Sequence, residues 1–303
     1  MQSHYHHHYI TPPAVDCLEA AVPSDLDEYL FDLQGFLILR GVLSREEVDA
    51  CNACVDLIPR SVPRDGWYGR VHREDHAEHR GISYQQIYEA GAPFERLIDH
   101  PGYINYVSRF AGGHGTFDRF PGPLFIDENF YNLRGPGESI GIHSGGHELC
   151  KRIRFDYHNG RFACGQVNVL FAFSDIGPGD GATMVIPGSH KSNIVHPEFM
   201  RPREKSLWAD DAGASSLDGV AGAMEVHLKA GDAIIFVDAL CHGSAKRIHS
   251  GDRRIGVFRY GSAWNRTRFG YEPSEALLNR LKPFARSIVA LGNRMVPPEV
   301  KAS

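Results

Sequence analysis

The chain has 303 residues, of which 42% are hydrophobic and 23% are charged, and its formal net charge is −5. This is the composition of a globular protein with a core large enough to enclose a pocket, and its lysines and arginines are too scattered to form the basic face of a nucleic-acid-binding protein. No apolar run reaches the roughly 20 residues of a membrane span, and the amino terminus lacks the apolar segment of a signal peptide. We therefore expect a cytoplasmic protein.

The first part of the chain predicts two helices on either side of one strand. Residues 1–20 include four closely spaced histidines and are expected to be flexible. Residues 24–33 favour a short helix, and residues 35–43 form an apolar run bracketed by glycines, which is typical of a strand. Ser44 and Glu47 have the spacing of a capping box, so a second helix is predicted directly after Ser44.

The middle of the chain changes character at Leu124. Residues 61–92 are polar and predicted to be irregular, and residues 92–110 predict further helix with a break at Pro101-Gly102. Beyond Leu124, short apolar segments alternate with glycine and proline turns, which is typical of an all-β sandwich or barrel. The predicted strands are 124–133, 138–143, 165–174, 181–186, 223–229, 232–238 and 253–262. A last helical region is predicted at 274–291.

We expect the whole chain, residues 1–303, to form a single domain whose β core spans 124–262. The segment 196–222 is rich in proline, aspartate, alanine and serine and has little strand character. Loops of this length in compact domains are usually functional or disordered. We predict that this segment is a lid over a site.

Two histidines stand at predicted strand ends. His143 closes the strand 138–143, and His242 follows the apolar strand 232–238. Arg253 opens the next strand and is expected to face the space that His242 lines. Iron(II) dioxygenases bind their metal with two histidines and a carboxylate on one face. The positions of the two histidines therefore predict a metal site built from neighbouring strands.

Several motifs together resemble the phytanoyl-CoA dioxygenase family of iron(II)/2-oxoglutarate oxygenases, over roughly residues 30–265. They are residues 35–37 (GFL), 172–175 (AFSD), 179–181 (GDG), 186–191 (IPGSHK), 242–244 (HGS) and Arg253. The IPGSHK run together with the distal HGS is specific, whereas each piece alone is weak. The resemblance implies a mainly β protein with flanking helices around a double-stranded β-helix, the jelly-roll or cupin-like core.

The resemblance also implies roles for individual residues. Iron would be held by His143 and His242, and the far carboxylate of 2-oxoglutarate would meet Arg253. A guanidinium fork suits bidentate recognition of a carboxylate. Arg254 would take that role if the strand register were shifted by one residue. Asn132 matches a family position that often contacts the co-substrate.

The chain departs from the family at the third metal ligand. The family motif is His-x-Asp, whereas this chain has His143-Ser144-Gly145, and glycine offers no side-chain ligand. Our preferred replacement is Asp238, which requires a turn before His242, because a straight strand would place the two about 13 Å apart. Another carboxylate such as Glu148 is a further candidate. Alternatively, chloride fills the position, as in related halogenases with His-x-Gly, or the protein binds ligands without catalysis.

The sequence thus predicts an enzyme that uses iron(II), 2-oxoglutarate and oxygen to oxidise, most simply to hydroxylate, a C–H bond of a small molecule. The alternatives are an iron(II)/2-oxoglutarate-dependent halogenase and a non-catalytic ligand-binding β-barrel. We expect no nucleic-acid or membrane partner. The walls of the substrate pocket are expected in residues 61–92 and 196–222, which do not define the substrate.

Overall fold

The computed structural model describes residues 21–75, 81–111, 124–137, 139–148, 150–200, 219–262 and 272–290. Within these residues, two antiparallel sheets lie together, and helices cover the outer face of the larger one. The segment 1–20 and most of the predicted lid, residues 201–218, lie outside the described residues. None of the described helices is long and apolar enough to cross a bilayer.

The helices fall at both ends of the chain. They are α1 (Asp25–Gln34), α2 (Arg45–Asp56), α3 (Ala92–Glu95), α4 (Ile104–Ala111), α5 (Glu275–Arg280) and α6 (Pro283–Val289). Ser24 and Ser44 each complete a capping box, at the start of α1 and α2 respectively. The side chain of each serine satisfies a backbone N–H that a helix start would otherwise leave without a partner. The predicted starts of these two helices are confirmed.

The strands make up most of the remaining regular structure. In chain order they are β1 (Phe36–Leu39), β2 (Trp67–Tyr68), β3 (Val71–Arg73), β4 (Ile82–Gln85), β5 (Leu124–Arg134), β6 (Ile140–His143), β7 (Tyr157–His158), β8 (Arg161–Phe162), β9 (Gln166–Ala172), β10 (Thr183–Val185), β11 (Met224–Val226), β12 (Ala233–Val237), β13 (His242–Ser244) and β14 (Arg253–Ser262). The larger sheet has the order β1-β12-β9-β14-β5-β4-β3-β2, and the smaller has the order β11-β10-β13-β6. The strands β7 and β8 form a separate hairpin.

One part of the sequence prediction was wrong. Residues 61–92, predicted to be irregular, supply β2, β3 and β4, which extend the larger sheet beyond β5. These strands have only two, three and four residues, too few to show the alternation by which strands are found in a sequence. The sheet therefore includes strands from before residue 124, where the core was predicted to begin.

The two faces of the larger sheet have different surroundings. On the outer face, Arg254 of β14 contacts Asp56 of α2, and the helices close over a large apolar core. Within that core, Phe31 of α1 stacks on Phe110 of α4 with ring centroids 3.7 Å apart. On the inner face, the Arg134 side chain of β5 reaches β13 in the smaller sheet. The candidate site lies between the two sheets.

Candidate active site

The two predicted histidines lie side by side in the smaller sheet. His143 ends β6 and His242 begins β13, and the two residues are directly opposite in the antiparallel ladder. Their ring centroids are 4.1 Å apart, with the ring planes inclined at 57°. The His242 ring also packs edge-on against Phe236 of β12, at 4.8 Å. Strand pairing thus brings together two residues that are far apart in sequence and places them against the larger sheet.

Each histidine is oriented by a carbonyl in its own segment. His143 Nδ1 lies 2.9 Å from the carbonyl oxygen of Gly141, and His242 Nδ1 lies 2.6 Å from that of Leu240. Because a carbonyl only accepts, each Nδ1 must carry the hydrogen and donate it. The lone pair of each ring is then on Nε2, which is the tautomer that a metal ligand requires, and such Nδ1 bonds are usual at metal sites. The pair therefore fits a transition metal.

The surroundings of His143 keep its ring neutral. The residue is exposed at the end of β6, but its ring lies against the ring of His242. The pKa of His143 lies well below its usual value. Burial is the largest cause, and the neighbouring His242 ring is the next largest. A neutral imidazole is the form that binds metal, so no proton has to be displaced near neutral pH.

Arg253 begins β14 and is buried, with 1% of its surface exposed. Its Nε and Nη1 atoms have no hydrogen-bond partner within the described residues. The pKa of Arg253 lies well below its usual value. Burial is the largest cause, and the positive charges of Arg134 and Arg247 add to it. A buried cation with unused donors is costly unless an anion accompanies it. The residue therefore fits a carboxylate of a bound co-substrate.

Arg254 lies on the opposite face of the same strand. Its Nη2 donates to Asp56 Oδ1 at 2.7 Å and its Nη1 to Asn52 Oδ1 at 3.4 Å, both on α2. Successive residues of a strand point to opposite faces, so only one of the two arginines can face the smaller sheet. The structure places Arg253 there and Arg254 against the helix.

Asn132 lies on the inner face of β5, opposite Ile255 of β14. Its side-chain amide donates to Ser83 Oγ at 3.1 Å and to the Ile82 carbonyl at 3.3 Å, both on β4. The residue is buried and shares the face that carries Arg253. These contacts fix the orientation of the amide beside the predicted co-substrate position.

Asp238 follows β12, and the turn that it would need is present. Leu240 N donates to the Val237 carbonyl at 2.9 Å, which reverses the chain before His242. The carboxylate accepts hydrogen bonds from Arg152 Nε and Asn168 Nδ2, both at 3.0 Å.

The structure does not bring Asp238 into a three-residue metal cluster with the two histidines. Among the described residues, the group of three potential ligands whose donor atoms all lie within 4.8 Å of one another is Asp65, His72 and Glu74, around the β2–β3 hairpin. By this criterion the described residues do not group Asp238 with the two histidines, and its role as a metal ligand stays a prediction.

The position of the family's missing aspartate is filled. Gly145 has a φ of +145°, and a Cβ placed on it would lie 2.6 Å from Cε1 and Nδ1 of His147 and 3.0 Å from Cys241 Sγ. Glu148 N donates to the Gly145 carbonyl at 3.1 Å, so the loop turns back on itself here. A Cβ at this position would therefore crowd the imidazole ring of His147 and the thiol of Cys241.

A buried polar network near the histidines was missed in the sequence. Arg259 of β14 lies opposite Glu128 of β5, with 3.0 Å between Arg259 Nε and Glu128 Oε2. Gln85 donates to Glu128 Oε1 at 3.0 Å, and Arg259 Nη1 is 3.5 Å from Asp238 Oδ1. Asp238 raises the pKa of His143 and Arg259 lowers it, although burial has the largest effect. The polar network therefore lies close to His143 and His242. In the sequence, the polar stretch 127–129 within a mostly apolar strand could have revealed this network.

His190, in the IPGSHK run, has a structural role. Its Nε2 lies 3.1 Å from the Asp32 carbonyl oxygen, and its ring packs edge-on against Phe155 at 4.5 Å. Burial lowers the pKa of His190 to about 4. The residue joins the turn after β10 to the end of α1 and is not part of the histidine pair.

Three comparisons with known proteins bear on this arrangement. The family model of phytanoyl-CoA dioxygenase (PhyH) matches residues 31–256. The dioxygenase cdmD of Talaromyces verruculosus is 25% identical over 130 residues, which cover 43% of this chain and 35% of that protein. The match thus spans about a third of the length of this relative.

Among solved structures, HygX from Streptomyces hygroscopicus with nickel and 2-oxoglutarate bound gives a TM-score of 0.66 at 24% identity, covering 84% of this chain and 94% of that one. HygX with nickel, 2-oxoglutarate and hygromycin B bound gives 0.63 at 24% identity, with 80% and 89% covered. The carbocyclase SnoK from nogalamycin biosynthesis gives 0.54 at 17% identity, with 89% and 94% covered. At these identities the likeness establishes the fold, and the predicted fold class, mainly β with flanking helices around a jelly-roll core, is confirmed.

Proposed function

The chain belongs to the phytanoyl-CoA dioxygenase family of iron(II)- and 2-oxoglutarate-dependent oxygenases, and we propose that it hydroxylates a C–H bond of a small-molecule substrate. The observation that carries this proposal is the pair His143 and His242. Both rings present Nε2 as the lone-pair atom, from strands that are directly paired. These two residues would hold the iron.

The proposed co-substrate position lies at Arg253. Its unused donors fit the far carboxylate of 2-oxoglutarate, and its burial strengthens a charge-assisted pair. Asn132, held by β4, would contact the co-substrate on the same face. The loaded site would supply an oxidant for C–H bonds, with succinate and carbon dioxide as co-products. The protein's own residues would bind and orient the ligands, and the buried Phe236 ring beside His242 would help to exclude water.

Asp238 is our proposed third protein ligand. To bind the metal, the Asp238 carboxylate would have to give up its ion pair with Arg152. The Arg152 side chain is about half exposed, at 46%, so water can replace that ion pair. Asn168 is buried and would keep the second oxygen in place.

Halogenation is less well supported. The His147 ring and the Cys241 thiol stand closest to the Cβ position of Gly145, and we propose that they leave too little room for a chloride in place of the family's aspartate. Burial raises the pKa of the Cys241 thiol to about 11, so the sulfur is uncharged near neutral pH. We therefore propose hydroxylation, with no requirement for chloride.

We propose a polar substrate. The inner face near the histidines is lined by Gln85, Glu128 and Arg259, which offer hydrogen bonds and charges of both signs. These groups already pair with one another, and a polar substrate could add hydrogen bonds to this network, which a hydrocarbon chain could not. The complex of HygX with hygromycin B is a small-molecule complex of that protein, and we propose that a small molecule also occupies this site.

The proposal is tested by measuring succinate formed from 2-oxoglutarate with and without added iron(II). We expect iron-dependent succinate formation in the unaltered protein and none in His143→Ala or His242→Ala, because each variant loses one of two protein nitrogens at the metal. Circular dichroism and thermal unfolding check that both variants remain folded. His158→Ala, an exposed histidine in the β7–β8 hairpin, is the matched control and should behave like the unaltered protein. Turnover that persists in either ligand variant would remove that residue from the site.

A further inference from the structure

Helix α1 carries apolar side chains on two opposite faces. Phe31 is completely buried and stacks on Phe110 of α4. On the opposite face, Leu26, Tyr29 and Leu33 are 63%, 62% and 55% exposed. Their spacing of three and then four residues places them in one row along the helix, because an α-helix has about 3.6 residues per turn. These three exposed residues form the α1 stripe.

The α1 stripe is unusual for a helix on the surface of a globular protein, which normally presents polar side chains to solvent. Helix α2 follows that rule, since Arg45 and Asp49 on its exposed face form an ion pair at 3.0 Å. In the α1 stripe, by contrast, the described residues leave more than half of each apolar residue exposed. A contiguous exposed apolar row is typical of a surface that packs against a partner.

The α1 stripe is complementary to itself. Two copies related by a twofold axis present the same surface to each other, and two helices packed antiparallel present the same row in reverse order. With the axis beside Tyr29, Leu26 would lie against Leu33 of the partner subunit, and Tyr29 against Tyr29 of the partner subunit. Tyrosine is enriched at interfaces because its ring packs while its hydroxyl stays hydrated. The centre of such an interface would contain no charged side chain.

The charged residues beside the α1 stripe favour the same arrangement. Asp25 and Asp32, seven residues apart, lie on one side of the stripe near its two ends. Lys191 Nζ donates to Asp32 Oδ2 at 2.6 Å, and 41% of the Lys191 side chain remains exposed. Asp25 has no charged partner in the part of the chain that the structure describes. Because opposite ends meet in an antiparallel pair, Asp25 of each copy would approach Lys191 of the partner subunit, and the charges would be complementary.

We propose that the α1 stripe is the contact surface of a homodimer, in which α1 of one copy packs antiparallel on α1 of a second copy. This proposal goes beyond the proposed function and does not depend on it. An interface built on one pair of helices is at the small end of protein–protein interfaces, so the dimer dissociates on dilution. Added salt weakens it, because the pairs of Asp25 with Lys191 of the partner subunit lie at its exposed rim.

Sedimentation velocity of the full chain over a range of concentrations tests the proposal. We expect monomer at low and dimer at high concentration. Tyr29→Glu should raise the dissociation constant about tenfold or more, because two negative charges would face each other beside the axis. Leu57→Glu is the matched control, since Leu57 is 72% exposed at the end of α2 and the same apolar-to-acidic change there should leave the dissociation constant unchanged. Circular dichroism checks the fold of both variants.

Asp25→Lys tests the orientation of the two copies. It should raise the dissociation constant about threefold or more at low salt, because it places like charges beside Lys191 of the partner subunit, and the difference should shrink at high salt. Asp49→Lys, which changes an exposed acid on α2 in the same way, is its control and should dimerise like the unaltered protein.

Four results would overturn the proposal. They are a monomer at every concentration, an unchanged dissociation constant in Tyr29→Glu, equal weakening in Tyr29→Glu and Leu57→Glu, and an unchanged dissociation constant in Asp25→Lys at low salt. A chain that dimerises only after removal of residues 1–20 would show that these residues cover the stripe, which also overturns it. If Tyr29→Glu does not fold, Leu26→Ser replaces it, and an unchanged dissociation constant counts against the proposal in the same way.

Discussion

The orientation of each of the two candidate ligands, His143 and His242, depends on very local geometry. In both cases Nδ1 bonds to the carbonyl of the residue two positions earlier, Gly141 for His143 and Leu240 for His242. That bond selects the tautomer and aims Nε2 without help from distant residues. What the local geometry cannot provide is the second ring, which arrives only when β6 and β13 pair.

Asp238 is the residue whose proposed role most needs a test. If it binds the metal, Asp238→Asn removes an anionic oxygen ligand, and we expect iron affinity to fall about tenfold or more. Adding chloride should change neither the turnover nor the product. Iron affinity is measured by anaerobic titration, and the product by mass spectrometry in chloride-containing and chloride-free buffer.

Two results would contradict this prediction. Iron affinity within threefold of the unaltered protein would leave Asp238 as the ion-pair partner of Arg152 and assign the third position to another group. A chlorinated product would show that chloride enters the site despite the His147 ring beside Gly145. Glu148→Gln is the parallel variant for the other carboxylate considered, and we expect it to bind iron normally.

At the scale of elements, the alternation of β14 decides which arginine serves the site. Arg253 faces the smaller sheet and Arg254 faces α2, so a shift of one residue would exchange them. The register is fixed because β14 pairs with β5 on one side and β9 on the other over most of its length. The apolar outer face, with Phe258 at 0% exposure, makes any shift costly.

The junction of β1 with β12 gives a prediction about pH. The Asp232 carboxylate accepts from Lys229 N at 2.8 Å, Gly41 N at 2.9 Å and Arg40 Nη1 at 2.6 Å. Burial alone would raise the pKa of Asp232, but the two backbone N–H groups and the Arg40 charge hold it below its usual value. A lowered pKa stabilises the fold above the unfolded-state value of about 3.9. That stabilisation is lost as the pH falls through the folded-state value.

We therefore expect Asp232→Asn to lower the free energy of unfolding by about 1–3 kcal/mol at pH 7, because charge-assisted hydrogen bonds are lost. The difference should shrink as the pH is lowered below about 4, where the native carboxyl also becomes neutral. Urea unfolding at several pH values measures this difference in the free energy of unfolding. Asp49→Asn, which removes an exposed ion pair with Arg45, is the control and should have almost no effect. An equal loss at every pH would mean that the carboxylate charge is unimportant.

For the molecule as a whole, the proposed site joins the two sheets, so its ligands should stabilise the entire fold. A ligand that binds only the folded protein adds about 2.7 kcal/mol at 100 times its dissociation constant. We expect zinc to raise the thermal unfolding temperature, and 2-oxoglutarate to raise it further. In Arg253→Met the stabilisation by zinc should remain and the further stabilisation by 2-oxoglutarate should disappear, because in our proposal Arg253 contacts the co-substrate and not the metal.

Thermal unfolding with each ligand alone and with both together makes this measurement. Arg254→Met provides the control on the outer face and should retain both increments. If Arg253→Met kept the full effect of 2-oxoglutarate, the co-substrate would be held elsewhere, and the assignment of the inner face of β14 would be wrong.

Much of the fold could be predicted from local patterns. The helix that starts after Ser24, the capping box at Ser44 and the long strands β5 and β14 were predicted because helix starts and strand patterns depend on a few neighbouring residues. His143 and His242 were singled out because they stand at strand ends, and Arg253 because it opens a strand. The lid predicted at 196–222 remains a prediction, since residues 201–218 lie outside the described residues.

Other features depend on which distant strands become neighbours. The strands β2 to β4 are too short to show a period and form by pairing outward from β5. The pairing of Arg134 with Arg253 in the ladder, and the ion pairs of Glu128 with Arg259 and of Asp238 with Arg152, join residues far apart in the chain. Such pairs are set by strand register and by the packing of one sheet on another, and a shift of one residue would turn each side chain to the other face. No pattern within a segment carries that information, so only the folded chain reveals the paired arginines.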